Sequence, residues 1–470
     1  MSQSLRDTQY GTIFWKDSLG EVLPRAALTG DETVDVAILG GGFSGLWTAY
    51  FLLRANPGLS VAIIEKHTCG HGASGRNGGW CSPRYPVLVD ELERKFGAEA
   101  ARATILAQYA IIEDIGRICE EEGIDAHFRQ GGLLSVARSA RQWAGLQATF
   151  ATYDRLGLAH DVTLIDAAAT LAKVRISKVL GGMSTVAGAS IHPARLVSGL
   201  ARAVEARGGR IYEGTAVTAV RPGNLSSGQA AMLETSGGVV TARRAVVMAG
   251  EAYLSTVPGW HRQILPMSSV IVATAPLDNA TWAAIGWDGY EGISSGAYTK
   301  DYLTRTRDGR ILFGSRGAPY LFGSKMPESA LADPALYGPI IKTLREWFPV
   351  LTDVPITHAW GGYLGVPRDG LPSVFFDKAR GLANIYGYTG RGVATTALAG
   401  RALAGLIGDV PAMVPDLPMI RAPGQLWEIE PARWVGVRYI QNAFARIDAA
   451  DFRDGSIPFD AGLAKTLAPI

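Results

Sequence analysis

The chain has 470 residues and a formal net charge of +2, so it is long enough for two or three domains with substantial cores. A nearly balanced charge without a basic cluster argues against nucleic acid or an anionic membrane surface as a partner. Its three cysteines form no CxxC pair or zinc-type set, which predicts neither a disulfide framework nor a structural metal. Residues 1–11 are polar and lack the apolar core of a signal peptide, so we expect a cytoplasmic protein.

The first strong signal is a strand, a glycine turn and a helix. The apolar residues 34–39 run into G-x-G-x-x-G at Gly40, Gly42 and Gly45, where a helix is predicted to begin. Gly40 permits the tight turn, Gly42 leaves room for a pyrophosphate, and Gly45 lets the helix pack close to the strand. Free N–H groups at the start of that helix favour phosphate. Glu65 closes the next apolar run and can accept hydrogen bonds from a ribose, so the pattern predicts a dinucleotide site.

A glycine-dense loop at 70–80 is the second signal. Its glycines allow the backbone to lie flat against a planar or anionic ligand. Arg76 can form a fork with phosphate or offset charge on a flavin ring, and Ser74 and Asn77 can hydrogen-bond to phosphate or ring edges. Because the loop directly follows the predicted ribose-binding acid, we interpret it as part of the cofactor site.

Helix and strand signals alternate through the middle of the chain. Helices are predicted at 98–122, 140–155 and 193–207. Strands are predicted at 132–136, 210–213, 217–220, 231–235 and 245–248. The last of these ends in Ala249-Gly250, a pair that lets a nucleotide or another backbone segment approach closely.

The stretch from about 265 to 319 has a different character. Its strand-like runs at 270–273, 302–305 and 311–313 are rich in β-branched and aromatic residues, which predicts an antiparallel sheet unlike the parallel start of the chain. A helix is predicted at 334–347. These elements indicate a second domain that interrupts the first in sequence.

A strand, a glycine turn and a helix recur at 382–408. The turn contains Gly390-Arg391-Gly392, and free N–H groups at the following helix start could stabilise negative charge. The apolar run 393–410 is rich in small residues and interrupted by Arg401, so we predict a buried helix rather than a membrane span.

These four segments, in this order, resemble the FAD-dependent amine and amino-acid oxidases of the D-amino-acid oxidase superfamily. The likeness is strongest to the γ-glutamylputrescine oxidase-like group, whose signature loop G-A-S-G-R-N-G-G stands here at 72–79. It runs from about 34 to 407 and so covers most of the chain.

The resemblance implies an α/β fold. A discontinuous Rossmann-like FAD-binding domain would be joined to an α+β substrate domain with a mainly antiparallel sheet. The FAD-binding domain would comprise 30–95, 185–255 and 360–420, and the substrate domain 96–184 and 256–359. Residues 1–29 would form a lead-in, and the aromatic-rich extension 421–470 would pack on the body or on a partner subunit. The oligomeric state stays open.

The resemblance also implies the cofactor contacts. Glu65 would bind the adenosine ribose and the Val217 backbone the adenine side, while Arg76 to Gly79 would lie near the isoalloxazine. The residues expected at the cofactor are Gly40, Gly41, Gly42, Phe43, Ser44, Gly45, Glu65, Lys66, Gly72, Ala73, Ser74, Arg76, Asn77, Gly78, Gly79, Trp80, Val217, Ala249, Gly250, Gly362, Gly390, Arg391, Gly392, Val393 and Ala394.

We expect the FAD to be non-covalent. Sarcosine oxidases carry a flavin-linking cysteine before the final glycine turn, and the corresponding segment here, 358–372, has none. His71 and Cys81 lie in or beside the cofactor loop and are the alternative attachment points, although a loop histidine and a packed thiol are the simpler interpretations.

The expected reaction follows from such a cofactor. FAD would accept a hydride at N5 from the carbon next to an amine, water would hydrolyse the imine, and O2 would reoxidise the flavin to give H2O2. The substrate would be a small amine or amino acid, such as a γ-glutamylated amine. The candidate pocket residues, whose aromatic rings could box the amine and whose guanidinium groups could clamp an acid, are Tyr302, Arg316, Trp360, Tyr363, Arg368 and Tyr388.

Three alternatives remain open from the sequence. The enzyme could be a dehydrogenase that passes electrons to a non-oxygen acceptor. It could be an aminophosphonate oxidoreductase, which would need a strongly cationic pocket. In a different class, the chain could be a non-catalytic flavoprotein or a tRNA-modifying subunit, although the near-neutral charge argues against RNA.

Overall fold

The computed structural model describes residues 8–316, 318–408 and 413–468. Within these ranges the chain forms an eight-stranded sheet, a nine-stranded sheet and a small three-stranded sheet. Helices flank both large sheets, and the dinucleotide motif belongs to the first of them.

The eight-stranded sheet is mixed. Its strands are β2 (Glu32–Leu39), β3 (Val61–Ile64), β10 (Arg210–Tyr212), β11 (Val217–Arg221), β12 (Ala231–Thr235), β13 (Gly238–Met248), β19 (Ser373–Asp377) and β20 (Leu382–Tyr386). The order is β10-β3-β2-β13-β12-β11, and β20 pairs with both β13 and β19. The pairs from β10 to β13 and the pair β13–β20 are parallel, as expected of strands joined by crossover helices. The pairs β11–β12, β12–β13 and β19–β20 are antiparallel.

Four helices pack with this sheet in the largest hydrophobic core. They are α2 (Phe43–Ala55), α3 (Val89–Glu121), α6 (Pro193–Ala206) and α9 (Gly392–Gly408). Val36 and Ile38 of β2 contribute to the same core and are fully buried. Because α2 and α9 are apolar over most of their surface, both lie inside the protein.

The nine-stranded sheet is mainly antiparallel. Its strands are β1 (Gln9–Tyr10), β6 (Leu133–Ala137), β7 (Val162–Asp166), β8 (Gly181–Thr185), β14 (Leu265–Thr274), β15 (Gly292–Ser295), β16 (Tyr302–Arg305), β17 (Ile311–Ser315) and β18 (Ile356–Val366). The order is β1-β18-β14-β17-β16-β15-β6-β8-β7, and only β1–β18 and β15–β6 are parallel among these described pairs. The predicted α/β fold with a mainly antiparallel second sheet is confirmed.

Helices α4 (Ala140–Arg155), α5 (Ala167–Lys173), α7 (Asn279–Ile285) and α8 (Gly338–Trp347) flank this second sheet. Of these, α7 and α8 contribute residues to its core. Trp347 of α8 meets Phe313 of β17 edge to face, with ring centroids 5.8 Å apart. Such aromatic pairs add to the apolar area that the helix buries against the strands.

The three-stranded sheet consists of β4 (Trp80–Cys81), β5 (Arg129–Gln130) and β9 (Ala189–Ser190), with β9 paired to both others. It ties the end of the glycine-dense loop to the connection that leads into α6. The short helix α1 (Phe14–Asp17) lies near the N-terminus of the described chain.

Local sequence signals explain where several helices begin and end. The hydroxyl of Ser139 accepts a hydrogen bond from the Gln142 N–H at the start of α4, and Asp278 caps α7 in the same way. Pro193 stands in the first turn of α6, where a missing N–H costs nothing. Gly286, with φ of +68°, ends α7 in the left-handed region that glycine tolerates.

Two predicted helices differ from the observed ones. The helix predicted at 98–122 begins nine residues earlier, because α3 continues across Gly97, whose φ of +84° makes a kink. The helix predicted at 334–347 is wrong in its first turn: Pro334–Leu336 is a separate 3-10 turn. Helix α8 starts afresh beside Pro339, which fits a first turn because it has no N–H to donate.

The segment beyond residue 420 contains α10 (Ala432–Arg453) and α11 (Ala461–Leu467). It packs on the body of the protein through Trp427, whose Nε1 donates to the Val366 carbonyl oxygen at 2.8 Å. Trp434 and Val435, in the first turn of α10, are exposed.

The division into two domains stays a prediction. All strands of the eight-stranded sheet come from the segments assigned to the FAD-binding domain. Strand β18 spans the predicted boundary at residue 360 and lies in the nine-stranded sheet.

None of the helices in the described ranges is long and apolar enough to cross a membrane. The predicted buried run 393–410 corresponds to α9, which ends at Gly408. Residues 409 and 410 of the predicted run lie outside the described part of the chain.

We predict that Gly400→Ala lowers the melting temperature. A Cβ atom at Gly400 of α9 would lie 2.9 Å from the Thr48 backbone nitrogen and 2.9 Å from the Trp47 Cβ of α2. Overpacking of this kind costs about 1–3 kcal/mol. The matched control is Gly436→Ala on α10, where an added Cβ meets nothing within 4 Å. Since alanine favours a helix over glycine, the control should melt at or above the wild-type temperature. Equal melting temperatures for the two variants, measured by calorimetry, would contradict this view of the α2–α9 contact.

Candidate active site

The turn between β2 and α2 has the geometry that the glycine motif predicts. Gly40 has φ of +107°, and a Cβ on Gly45 would lie 2.1 Å from the Gly40 carbonyl oxygen. A Cβ on Gly42 would meet the Ser74 hydroxyl at 3.0 Å, and that hydroxyl accepts a hydrogen bond from the Phe43 N–H at 2.8 Å. The turn therefore brings a helix N-terminus and a side-chain hydroxyl to one point, a combination suited to phosphate.

Glu65 directly follows β3 and lies beside this turn. Its two carboxylate oxygens each accept one backbone N–H, from Gly41 and from His67, both at 2.8 Å. Burial raises the pKa of this carboxyl, and the two N–H donors oppose that shift. The position matches the one predicted for an acid that binds a ribose.

Arg76 of the glycine-dense loop has a protein partner that the sequence did not predict. Its Nε donates to the His71 carbonyl oxygen, and one terminal nitrogen donates to Glu328 Oε2, both at 2.6 Å. Hydrogen bonds from His71 and Arg76 lower the pKa of the half-exposed Glu328 to about 2, so this carboxylate is charged. The Arg76 guanidinium lines the cavity as one half of an ion pair rather than as a free charge.

Asn77 and Gly78 shape the rest of that loop. The Asn77 amide donates to the Ala73 and Ser74 carbonyl oxygens, and its own oxygen accepts the Gly79 N–H. A Cβ on Gly78 would lie 2.5 Å from the Tyr302 ring. The absence of a side chain at Gly78 is thus what lets a tyrosine of the second sheet reach the loop.

The second glycine turn is held by a carboxylate. Glu251, just after β13, accepts the Gly365 N–H at 3.1 Å and the Gly387 N–H at 2.8 Å. Burial raises the pKa of Glu251 to about 7, against the effect of these N–H donors. In the same region the Ser44 hydroxyl of α2 donates to the Tyr388 hydroxyl at 3.0 Å. Glu251 follows the predicted Ala249-Gly250 pair, yet its contacts lie more than a hundred residues away and gave no local signal.

One cavity of about 590 Å³ connects these features. Most residues predicted at the cofactor line it, namely Gly40, Gly42, Phe43, Ser44, Glu65, Lys66, Gly72, Ala73, Ser74, Arg76, Asn77, Gly78, Trp80, Val217, Ala249, Gly250, Gly362, Gly390, Arg391, Gly392 and Val393. Four of the predicted substrate residues line it as well, namely Tyr302, Arg316, Tyr363 and Tyr388. The cavity therefore brings together the glycine turns beside the first sheet and side chains of the second sheet.

Four other predicted cofactor residues do not line the cavity, namely Gly41, Gly45, Gly79 and Ala394. Gly45 lies against the Gly40 carbonyl oxygen, and Gly79 lies against the Ile191 carbonyl oxygen. Ala394 is buried in the core that contains α9. These residues pack against backbone or core atoms next to the turns and do not face the cavity.

Trp360 and Arg368, which were predicted to line the substrate pocket, do not line this cavity. Trp360 is fully buried, packs with Phe14 and Trp15 of α1, and donates from Nε1 to the Arg76 carbonyl oxygen at 2.8 Å. Arg368 points away from the cavity, toward Glu428 at 2.9 Å and over the Trp427 ring. The segments that contact Trp360 and Arg368 are distant from them in sequence. Neither side-chain orientation was therefore predictable from the neighbouring residues.

Several residues that line the cavity carry buried polar atoms that have no hydrogen-bond partner among the described residues. They are Trp80 Nε1, Tyr253 OH, Ser294 Oγ and Thr389 Oγ1. Buried polar groups are nearly always hydrogen-bonded, so these atoms fit a ligand with its own donors and acceptors. Together with the glycine turn and Glu65, the residues present fit a flavin dinucleotide.

The sequence pattern of one family, described as "DAO: FAD dependent oxidoreductase", matches residues 35–406. The chain belongs to this family. The predictions of the superfamily, of an enzyme and of FAD as its cofactor are thereby confirmed.

Relatives and solved structures agree with that assignment. Gamma-glutamylputrescine oxidoreductase of Escherichia coli (strain K12) is 30% identical over 408 residues, which cover 86% of this chain and 90% of that protein. Glycine oxidase from Geobacillus kaustophilus superposes with a TM-score of 0.69 at 20% identity, covering 84% of this chain and all of the other. L-proline dehydrogenase from P. horikoshii gives 0.67 at 20% identity, covering 84% of this chain and 96% of the other. The two structures show a shared fold.

The structure also locates the alternative attachment points for a covalent flavin. His71 lines the cavity, with its ring stacked on His67 at 4.0 Å between centroids. Cys81 is fully buried, does not line the cavity, and has a pKa raised by burial. Non-covalent FAD stays our prediction.

We predict that Gly42→Leu abolishes flavin binding. The added side chain would start 3.0 Å from the Ser74 hydroxyl and fill the space beside the N-terminus of α2. The measurement is the flavin-to-protein absorbance ratio of the purified variant. Gly58→Leu, at an exposed turn where an added Cβ meets nothing within 4 Å, is the matched control and should stay yellow. A stoichiometrically loaded Gly42→Leu protein would contradict the assignment of this turn.

We predict that Glu251 makes folding less favourable as pH rises. Its folded pKa of about 7 exceeds the ordinary 4.5, so between these values the folded protein holds a proton that the unfolded chain has lost. The free energy of unfolding then falls with rising pH, and the Glu251→Gln variant lacks this contribution. Denaturant unfolding across that range should therefore show wild type losing stability relative to Glu251→Gln.

The control for removal of one negative charge is Glu99→Gln, at an exposed position on α3. A stability difference between wild type and Glu251→Gln that stays constant, or that grows in favour of wild type as pH rises, would contradict the prediction.

Proposed function

We propose that this enzyme oxidises the CH–NH bond of a small amine or amino acid, that water hydrolyses the resulting imine, and that O2 is the final electron acceptor and yields H2O2. The observation that supports this proposal is one cavity that is lined both by the glycine turn between β2 and α2 and by residues of the antiparallel sheet. When bound, FAD supplies the hydride acceptor. The protein must then hold a small substrate in the part of the cavity walled by the second sheet.

Two stacked aromatic rings form one wall of that part. Trp80 and Tyr302 lie parallel, with an interplanar angle of 2° and centroids 6.0 Å apart. Tyr302 rests on two glycines, since a Cβ on Gly314 would lie 2.2 Å from its ring and one on Gly78 2.5 Å. Burial raises the pKa of Tyr302 to about 12, so the phenol stays neutral at physiological pH. A rigid wall of this kind orients a reacting carbon and excludes water.

Asp301, the residue before Tyr302, also lines the cavity. Its Oδ2 accepts a hydrogen bond from the Ser295 hydroxyl at 3.4 Å. Burial raises the pKa of this carboxyl to about 6. A carboxylate with that pKa can take a proton from the ammonium form of a substrate, which leaves the neutral amine that hydride transfer requires.

The names of the relatives support the substrate class. The Escherichia coli relative is named for γ-glutamylputrescine, and the two fold neighbours are named for glycine and L-proline. All three are amines or amino acids. The glycine enzyme is named an oxidase and supports O2, whereas the proline enzyme is named a dehydrogenase, so the acceptor needs its own measurement.

The test is anaerobic titration of the FAD-loaded protein with γ-glutamylputrescine, sarcosine, glycine and a set of acidic amines, followed by air. We expect at least one amine to bleach the flavin absorbance and air to restore it with one H2O2 per amine oxidised. N-acetylglycine, which has no free amine, is the control. Recovery in air that is far slower than bleaching would contradict O2 as the acceptor. A flavin that dithionite bleaches but none of the amines bleaches would contradict amine oxidation.

A further inference from the structure

Four cationic side chains meet in one part of the cavity, which we call the cationic chamber. They are Arg84, Lys300, Arg316 and Arg391. Arg84 follows β4, Lys300 precedes β16, Arg316 follows β17, and Arg391 lies in the turn before α9. None of these segments belongs to the β2–α2 turn. Each side chain is enclosed by protein but keeps partial exposure because it faces the cavity.

The protein offers these cations mainly neutral oxygens. Arg84 donates to the Ser135 hydroxyl, Arg316 to the Thr389 carbonyl oxygen at 3.1 Å, and Arg391 to the Tyr85 and Pro86 carbonyl oxygens. No ion pair joins any of the four to a carboxylate of the described ranges.

Lys300 is the extreme case among them. Its ammonium group has no hydrogen-bond acceptor within the described chain, and its backbone φ is +62°. Burial lowers the pKa of Lys300 well below its ordinary value, and repulsion from Arg391, Arg316 and Arg84 adds to that shift. Burial and repulsion from Arg84 and Arg316 lower the pKa of Arg391 to about 9. Burial lowers the pKa of Arg316 to about 10, and both guanidinium groups stay charged at neutral pH.

The nearby acids do not balance this charge. Asp301 lines the cavity with a pKa raised to about 6. Asp448 of α10 attracts Lys300 electrostatically, but its oxygens accept the Tyr298 and Thr299 N–H groups and it pairs with Arg141. One acid in the chamber therefore faces three guanidinium groups and the Lys300 amine, and uncompensated buried charges are costly.

FAD itself accounts for at most part of the excess. The glycine turn and Ser74 at the N-terminus of α2 would hold its phosphates. Arg391 stands at the second glycine turn, where it can offset charge on the flavin ring. That leaves Arg84, Lys300 and Arg316 facing the space beside the Trp80–Tyr302 wall.

We propose that the cationic chamber selects an amine that carries two further negative charges, either as one phosphonate group or as two carboxylates. This inference rests on the proposed function, since the dianion is a part of the oxidised substrate. Guanidinium forks and a lysine ammonium together match a dianion in charge and in hydrogen-bond donors. A diamine such as putrescine would bring positive charge into the chamber and be repelled.

The first test compares amines under anaerobic conditions with the FAD-loaded protein. The dianionic arm contains 2-aminoethylphosphonate and iminodiacetate, which separate the phosphonate from the dicarboxylate source. Glycine and sarcosine form the monoanionic arm, and putrescine is the cationic one. We expect half-maximal bleaching by a dianionic amine at a concentration at least about tenfold below that of any monoanionic or cationic amine. Equal or better bleaching by glycine, sarcosine or putrescine would overturn the inference while leaving amine oxidation intact.

The second test reads binding without turnover. Ethylphosphonate, malonate and propionate lack an amine, and their binding to the FAD-loaded protein is measured by titration calorimetry. We expect ethylphosphonate or malonate to bind at least about tenfold more tightly than propionate. If propionate binds as tightly as both dianions, the inference fails whatever the amine panel shows.

Two variants connect that binding to the chamber. Lys300→Gln and Arg316→Gln should each weaken binding of the preferred dianion by about tenfold or more, the effect of one lost charge-assisted hydrogen bond. The matched control is Arg453→Gln, which removes one exposed cation of α10 and should leave dianion binding unchanged. Lys300→Gln removes no hydrogen bond of the described structure, so it carries the test if Arg316→Gln fails to fold. Wild-type dianion affinity in a folded, FAD-loaded Lys300→Gln protein would overturn the inference.

Discussion

The cavity depends on the close packing of helices α2 and α9 at Gly400. Helix α2 and helix α9 each begin at a glycine turn, and Gly400 lets their backbones approach so that both N-termini open into one cavity. Gly45 does the same between α2 and the end of β2. Two helix N-termini that face one ligand place two regions of positive potential along it, which suits a dinucleotide with phosphates at one end and a reducible ring at the other.

A buried carboxylate ties that first layer to the second sheet. Glu251 leaves the end of β13 and accepts N–H groups from β18 and from the turn before α9. It therefore couples the parallel strands, the second glycine turn and the antiparallel sheet through one side chain. Glu328 acts similarly at the other side of the cavity, where its pairing with Arg76 joins the glycine-dense loop to the second sheet's connecting segment. Glu328 neutralises Arg76, and Glu251 orders two backbone segments. Among the described residues, neither acid pairs with a cation of the cationic chamber.

The uneven charge of the cavity is thus a property of its two ends. Near the glycine-dense loop, Arg76 pairs with Glu328. Glu65 accepts a hydrogen bond from the backbone N–H of Gly41 in the first glycine turn. Near the second sheet, Arg84, Lys300 and Arg316 meet neutral oxygens or nothing among the described residues. A negatively charged substrate would balance the cations at that end, as Glu328 balances Arg76 at the other end.

The sequence by itself determined the parts of this protein whose physics is local. Gly40, Gly42 and Gly45 are required by a turn, a ligand and a close contact within a few residues, so their spacing predicted a dinucleotide site between a strand and a helix. FAD itself was implied by the resemblance to a family of flavoenzymes. The antiparallel second sheet was predictable because its strands have their own residue pattern. Only the tertiary structure decided which distant side chains meet. Trp360 turned into the core because α1 covers it, Arg368 turned outward to Glu428, and Lys300 joined three arginines from separate segments. Such long-range partners depend on strand order and register, which no short stretch of sequence encodes.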